Sequence, residues 1–274
     1  MKSGERSFSA RAGGCAVWLA GAVQQSDNTD EAVLFFGKQR FNISRPGFGG
    51  KNSLAYGVNV FGQTVGGAET EKQDPGQVDF CGFQTLLGGS GPVPVCAASI
   101  WQNGVMTRLL TLGGNNGSAS QINRFGVAAG EVENATADPG CPQRFQSKPV
   151  KWQGREPIAL ATYPGDPDGI AYAINDRGQV VGSTGTCSPY NPIIQTAMAP
   201  LHPMLWDEDG TPTYLGTLPG AGRAFASLAI NINNKGHVVG SSDVTDVTGE
   251  TAHAFLWTKS ADMIDLGTLS KRRD

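Results

Sequence analysis

Residues 229–240 read AININNKGHVVG, and residues 173–182 read AINDRGQVVG. Aligned on the asparagine, the pattern [IV]-N-x-x-G-x-x-x-G occurs at Asn59/Gly62/Gly66, Asn123/Gly126/Gly130, Asn175/Gly178/Gly182 and Asn233/Gly236/Gly240. Spacing inside the motif is constant, whereas successive motifs lie 64, 52 and 58 residues apart. Insertions therefore fall between motifs, as in a repeat protein with loops of variable length.

Each unit has the same parts. Apolar residues alternate before the Asn, as in Leu54/Tyr56/Val58 or Ile170/Tyr172/Ile174, which reads as a strand with one buried face. The Asn side chain can bond backbone N–H groups just ahead, and a Gly three residues on can take positive φ, so Asn-x-x-Gly predicts a tight turn. A second strand follows (QVVG, HVVG), then a long polar segment, then a third strand ending at Trp101, Trp152, Trp206 or Trp257. A short polar turn leads to a fourth strand such as TYLGTL or IDLGTL. Four strands per unit is the count for a propeller blade. The expectation is an all-β propeller of about five blades in which the Trp residues pack between blades.

A half-visible unit precedes these four. Phe36 lies 23 residues before Asn59, as Trp152 lies 23 before Asn175, so Phe36 takes the Trp position. Aligning Gly14 with the turn glycine puts Arg11 at the Asn position and Trp18 at the second Gly. Residues 1–22 also have the basic lead, apolar run and Ala-Gly-Ala of a secretory signal peptide. Two readings stand: a cleaved leader, or the degenerate first strands. The rest, 23–274, reads as one repeat domain with units near 23–50 (half), 51–114, 115–165, 166–220 and 221–270.

Charged residues are only 16% of the chain, Gly numbers 38 and Pro 16, which suits short strands and many turns. A net charge of −3, with scattered Lys and Arg, makes nucleic acid a poor partner. No apolar run reaches the ~20 residues of a membrane helix. Cys15 falls in the candidate leader; Cys81, Cys96, Cys141 and Cys187 form an even set compatible with two disulfides and an oxidising compartment. The expected pairs are Cys81–Cys96, within one insertion, and Cys141–Cys187, in corresponding insertions of successive units.

AININNKGHVVGSS followed by HAFLWTKSADMIDLGTL resembles the bacterial extracellular HAF repeat family, through His253-Ala254-Phe255. That resemblance implies secretion and repeated β structure, and supplies no catalytic residues.

No zinc-protease, phosphate-loop or nucleophile-elbow motif is present. Of the histidines His202, His237 and His253, two fall in or beside repeat strands, where structural roles are usual. Asp166-Pro-Asp168-Gly and Asp207-Glu208-Asp209-Gly could offer loop oxygens to calcium, but neither has the longer ligand spacing of a known loop. No metal or cofactor is expected. The function expected is a secreted, monomeric, non-enzymatic module, extracellular or periplasmic, that binds a glycan or surface protein. The alternative is a polysaccharide hydrolase or lyase with carboxylates at the channel mouth. Insertions 67–97, 131–148, 183–202 and 241–252 would share one face, with Asp74, Asp79, Phe83, Phe145, Tyr190 and Arg223 as its candidate ligand-binding residues.

Overall fold

The computed structural model describes the chain apart from residues 1–4, 14–15, 45–46, 89, 142, 188–200, 221–225, 247–248 and 269–274. Among the described residues, twenty strands form five four-stranded antiparallel sheets, each an up-and-down meander. The first sheet is β1 (Glu5–Gly13), β2 (Ala16–Gln24), β3 (Asp30–Phe36) and β4 (Gln39–Asn42). The second is β5 (Gly49–Val58), β6 (Thr64–Gln73), β7 (Pro94–Gln102) and β8 (Val105–Arg108), with a short helix α1 (Phe83–Leu87) between β6 and β7. The third is β9 (Gly113–Ile122), β10 (Ala128–Asp138), β11 (Arg144–Gln153) and β12 (Glu156–Ala159). The fourth is β13 (Asp168–Ile174), β14 (Val180–Gly185), β15 (Leu201–Trp206) and β16 (Pro212–Tyr214). The fifth is β17 (Ser227–Ile232), β18 (Val238–Asp246), β19 (Gly249–Thr258) and β20 (Asp262–Gly267). The expected all-β class and four-strand unit are thus present. The sheets are separate, and none curls to close on itself.

The sheets pack face to face in chain order, which explains why the second strands read as continuous apolar runs rather than alternating ones. Val180 packs with Ala129, Leu160 and Trp206 between the third and fourth sheets. Its neighbour Val181 points the other way, into the layer holding Ala229, Val238 and Phe255. Trp152 and Trp206 are completely buried, and each indole Nε1–H bonds a carbonyl in the connection entering its own sheet: Leu110 at 2.9 Å and Ala161 at 2.7 Å. Trp257 is buried at the same strand position in the fifth sheet, whereas Trp101 in the second is only half-buried.

The motif's second glycine has a cause that spacing alone did not suggest. Opposite it the first strand carries a β-bulge, so that Ala171 and Ala173 of β13 pair with Gly182 and Val181. The bulge drives the Ile170 carbonyl oxygen to 1.9 Å from where a Cβ on Gly182 would stand. Only glycine fits.

The register corrects one alignment. Trp18 pairs with Phe36, as Thr64 pairs with Trp101 and Val180 with Trp206. Phe36 therefore holds the Trp place, but Ala20, across from Leu34, and not Trp18, stands at the second-glycine position. The first hairpin is tighter, with Gly13 paired to Ala16, which shifts the alignment by two residues. The described part of residues 1–22 forms β1 and most of β2, the two strands of this degenerate unit.

Candidate functional site

One edge of the molecule carries the Asn turns. Asn123 Oδ1 accepts the backbone N–H groups of Phe125 (3.0 Å) and Val127 (3.1 Å), and Gly126 closes the turn at φ 80°. Gly62, Gly178 and Gly236 close the other three turns in the same way, at φ 78°, 75° and 81°. Gly178, expected only to close its hairpin, carries a second constraint. It is half-buried, and a Cβ there would stand 3.1 Å from the Glu208 side chain, so the glycine also lets the β13–β14 turn approach the β15–β16 turn.

The amide nitrogen of the motif Asn does something else. Asn59 Nδ2 donates to the Asn123 carbonyl (2.9 Å), Asn123 to that of Asn175 (3.1 Å) and Asn175 to that of Asn233 (2.9 Å). A ladder of side-chain amides thus ties four consecutive sheets. Asp could cap such a turn but has no donor, and Ser has a single short hydroxyl, whereas Asn caps with its oxygen and donates from a separate nitrogen, so the invariance of Asn in the repeat was the available signal.

Because the turns lie side by side, so do their third residues: Phe61, Phe125, Arg177 and Lys235, all exposed. Phe61 and Phe125 are 66% and 70% exposed, the largest values among the exposed large hydrophobics. The Arg124 guanidinium lies 5.5 Å from the Phe125 ring centre, and that of Arg177 covers Gly236 of the next turn.

The opposite edge is a buried polar network. Seven residues before the motif Asn stand Asn52, Asn116, Asp168 and Ala226. Asn52 Nδ2 donates to Glu69 at 2.9 Å, and Asn116 Nδ2 to Glu133 at 3.0 Å and to Asp74 at 3.1 Å. Asp168 Oδ1 instead accepts the Ser147 N–H (2.8 Å), while the Ser147 hydroxyl donates to Glu131 (2.9 Å). Burial pushes the Glu131 carboxyl up to about 8, opposed by the Ser147 bond and reinforced by the charges of Asp168 and Glu133. Burial likewise raises Glu69 and Glu133, against the hydrogen bonds each receives from Asn52 or Asn116. The glutamates bond neighbouring strands of one sheet, while Asp74 and Asp168 link successive sheets; the Asn–Glu spacing was not picked out in the sequence.

A second titratable cluster joins β15 to the segment before β13. Asp166 Oδ2 accepts the Thr184 hydroxyl at 2.6 Å and lies 2.8 Å from His202 Nδ1. The His202 ring stacks on Tyr163 with centroids 3.9 Å apart, and Tyr214 meets it edge-on at 5.6 Å. Asp166 and Asp168, read together as possible calcium ligands, thus serve different networks.

Of the six candidate ligand-binding residues, the four that are described take separate places. Asp74 is buried, accepting from Asn116 and from the Val78 N–H. Phe83 is buried with Leu54, Cys81 and Cys96. Asp79 steadies α1 through the Thr85 N–H (2.8 Å) and hydroxyl (3.0 Å). Phe145 is half-buried in β11, and Tyr190 and Arg223 lie outside the described residues. Both disulfides are as expected: Cys81–Cys96, and Cys141–Cys187 between the third and fourth units.

The fold and its two polar edges define an all-β repeat protein of five stacked four-stranded sheets. A family model described as "Protein of unknown function (DUF3466)" matches residues 165–269, the stretch that holds the fourth and fifth sheets. No curated protein and no solved structure matches the chain. This corrects the resemblance to the HAF repeat family: the matching family is a different one, and the units are separate packed sheets. The tripeptide that carried the resemblance has local roles. His253 Nδ1 lies 3.0 Å from both Asp265 oxygens, drawing the Asp265 carboxyl below its usual range, and Phe255 is buried against Gly240.

Proposed function

We propose that the five sheets are consecutive blades of a propeller-type arc, and that the chain is an exported, non-enzymatic module gripping a glycan or surface protein. An arc is favoured over a closed five-bladed ring because the fifth sheet leaves Ile230, Val239, Ile264 and Leu266 exposed. Export is supported by the two disulfides. Among the described residues no helix is long and apolar enough to cross a membrane.

The observation that carries the reading is the row Phe61–Phe125–Arg177–Lys235 on a turn edge held rigid by the Asn ladder. Exposed rings beside cations suit a glycan bearing carboxylates: sugar faces stack on the rings while Arg and Lys meet the acidic groups. This moves the working surface from the long-insertion face, where Asp74 and Phe83 are committed to the interior. The hydrolase or lyase reading has no comparable support, since Glu131 and Glu133 are bonded within the sheets.

A glycan array probed with the purified chain tests this. An F61A/F125A double variant should retain its melting temperature, because both rings are exposed, and lose at least about tenfold in affinity for the glycans retained by the native chain. Full binding by that variant, together with loss on shortening the 67–97 insertion, would return the site to the long-insertion face.

A further inference from the structure

The junctions between successive sheets can be compared with one another. Asp74 stands twelve residues after the turn glycine Gly62, and Asp138 twelve after Gly126. Across the second–third junction, Asp74 meets Asn116, whose amide donates to it at 3.1 Å. Across the third–fourth junction the residue equivalent to Asn116 is Asp168, so two carboxylates meet where an amide and a carboxylate met before. Their oxygens come within 4.8 Å of each other. Asp138 Oδ2 is buried without a hydrogen-bond partner.

Gln143 lies against this pair. It is only 4% exposed, its Nε2 donates to Asp168 Oδ2 at 3.2 Å, and its Oε1 is buried without a partner. A half-turn of the amide would put that oxygen beside Asp168. Lys148 brings one positive charge near both carboxylates, with its ammonium against the Pro167 carbonyl. Glu131, whose raised carboxyl adds no charge of its own below about pH 8, lies near enough to Asp168 to feel its charge.

We propose that Asp138, Asp168 and Gln143 hold a calcium ion between the third and fourth sheets. Calcium–oxygen bonds of about 2.3–2.6 Å let one ion reach oxygens up to about 5 Å apart, and the two carboxylates lie within that reach. The sulfur nearby belongs to Cys141, which is locked in the Cys141–Cys187 disulfide and offers no thiolate. Oxygen donors alone select a hard cation over zinc. The ion would join the end of β10 to the start of β13, next to the disulfide that bridges the same two units.

The test uses the full chain, stripped with a chelator and then titrated with calcium chloride, followed by calorimetry and thermal melting. The native chain should bind one calcium ion saturably and melt higher when loaded. The D138N variant rebuilds the amide–carboxylate pairing of the Asp74–Asn116 junction. It should therefore fold, melt no lower than the calcium-free native chain, and bind calcium at least about tenfold more weakly. Magnesium should give a much smaller response, because it demands a tighter octahedral shell. Absence of any calcium response in the native chain would overturn the proposal, with Lys148 then neutralising the pair. Undiminished calcium affinity in D138N would place the ion elsewhere, and an equal response to magnesium would overturn the assignment to calcium.

Discussion

The side-chain amide of Asn123 donates to the backbone carbonyl of Asn175, one sheet away, at 3.1 Å. The same residue caps its own turn through Oδ1, so one side chain sets a local bend and an inter-sheet distance together. Removing it strands two part-buried turn N–H groups and leaves the Asn175 carbonyl with the Gly178 N–H as its remaining donor. We expect N123A to lower stability by on the order of 3 kcal/mol in urea unfolding. N233A should cost only about 1 kcal/mol, since Asn233 is exposed and caps its turn at the end of the ladder. Equal losses in the two variants would mean that the inter-sheet bond contributes nothing.

Trp152 and Trp206 make the corresponding link at the third strand, with the indole filling the space between sheets and Nε1 holding the incoming chain. Truncation to Ala should cost about 3–5 kcal/mol through the cavity left behind. A W152F variant should recover most of that, leaving the Leu110 carbonyl short of a donor at a cost of about 1–2 kcal/mol. Melting temperatures of the three proteins check the order. If W152F were no better than W152A, the hydrogen bond rather than the packing would carry the site.

The repeat was legible because its constraints are local. A turn needs Asn and Gly at fixed spacing, and Trp at one strand position must fill one gap. The disulfides were legible for a related reason, since only four cysteines remain once Cys15 of the candidate leader is set aside. The surface proposed for binding was not, because exposure depends on which sheet covers which. Asp74 and Phe83 looked like loop residues, yet the insertion that carries them folds back as α1 and buries both. Phe61 and Phe125 sat inside the motif itself, where they read as variable turn positions, and only the stacking of turns brings them out in a row. The closeness of the Glu208 side chain to where a Cβ on Gly178 would stand was hidden for the same reason, since the two lie in different turns of one sheet. The Asn–Glu bonds were hidden by a spacing of 17 residues between partners on paired strands, which no helical or strand period would suggest.

The two disulfides should differ in worth. Cys81–Cys96 closes a separation of 15 residues inside one unit, and Cys141–Cys187 closes 46 between two. Chain entropy alone assigns about 3 kcal/mol to the first and about 4 kcal/mol to the second. Replacing each pair by serines and measuring unfolding free energy should rank them in that order. The intact mass before and after reduction should rise by the four hydrogens of two reduced bridges. A larger loss for the Cys81/Cys96 pair would show that burial beside Phe83, rather than loop closure, governs.

Glu131 gives the fold a pH dependence whose sign is fixed by its surroundings. Its carboxyl titrates near 8 in the folded chain, against 4.5 for the free group, chiefly because it is buried. A raised carboxyl means that the folded state holds a proton which the unfolded state releases. The resulting stability is complete below about 4.5 and disappears as the pH climbs through 8. With chelator present, so that no cation alters the charge beside Asp168, stability should decline from pH 5 to pH 9. The full shift corresponds to on the order of 3–5 kcal/mol if nothing relaxes. An E131Q variant keeps a neutral acceptor for the Ser147 hydroxyl and cannot ionise. It should match the native chain at pH 5, exceed it at pH 9, and show a flatter profile in urea unfolding. Parallel profiles for the two proteins would mean that Glu131 is ionised in the fold at neutral pH, with its charge balanced by Lys148 or by water reaching the Ser147–Asp168 network.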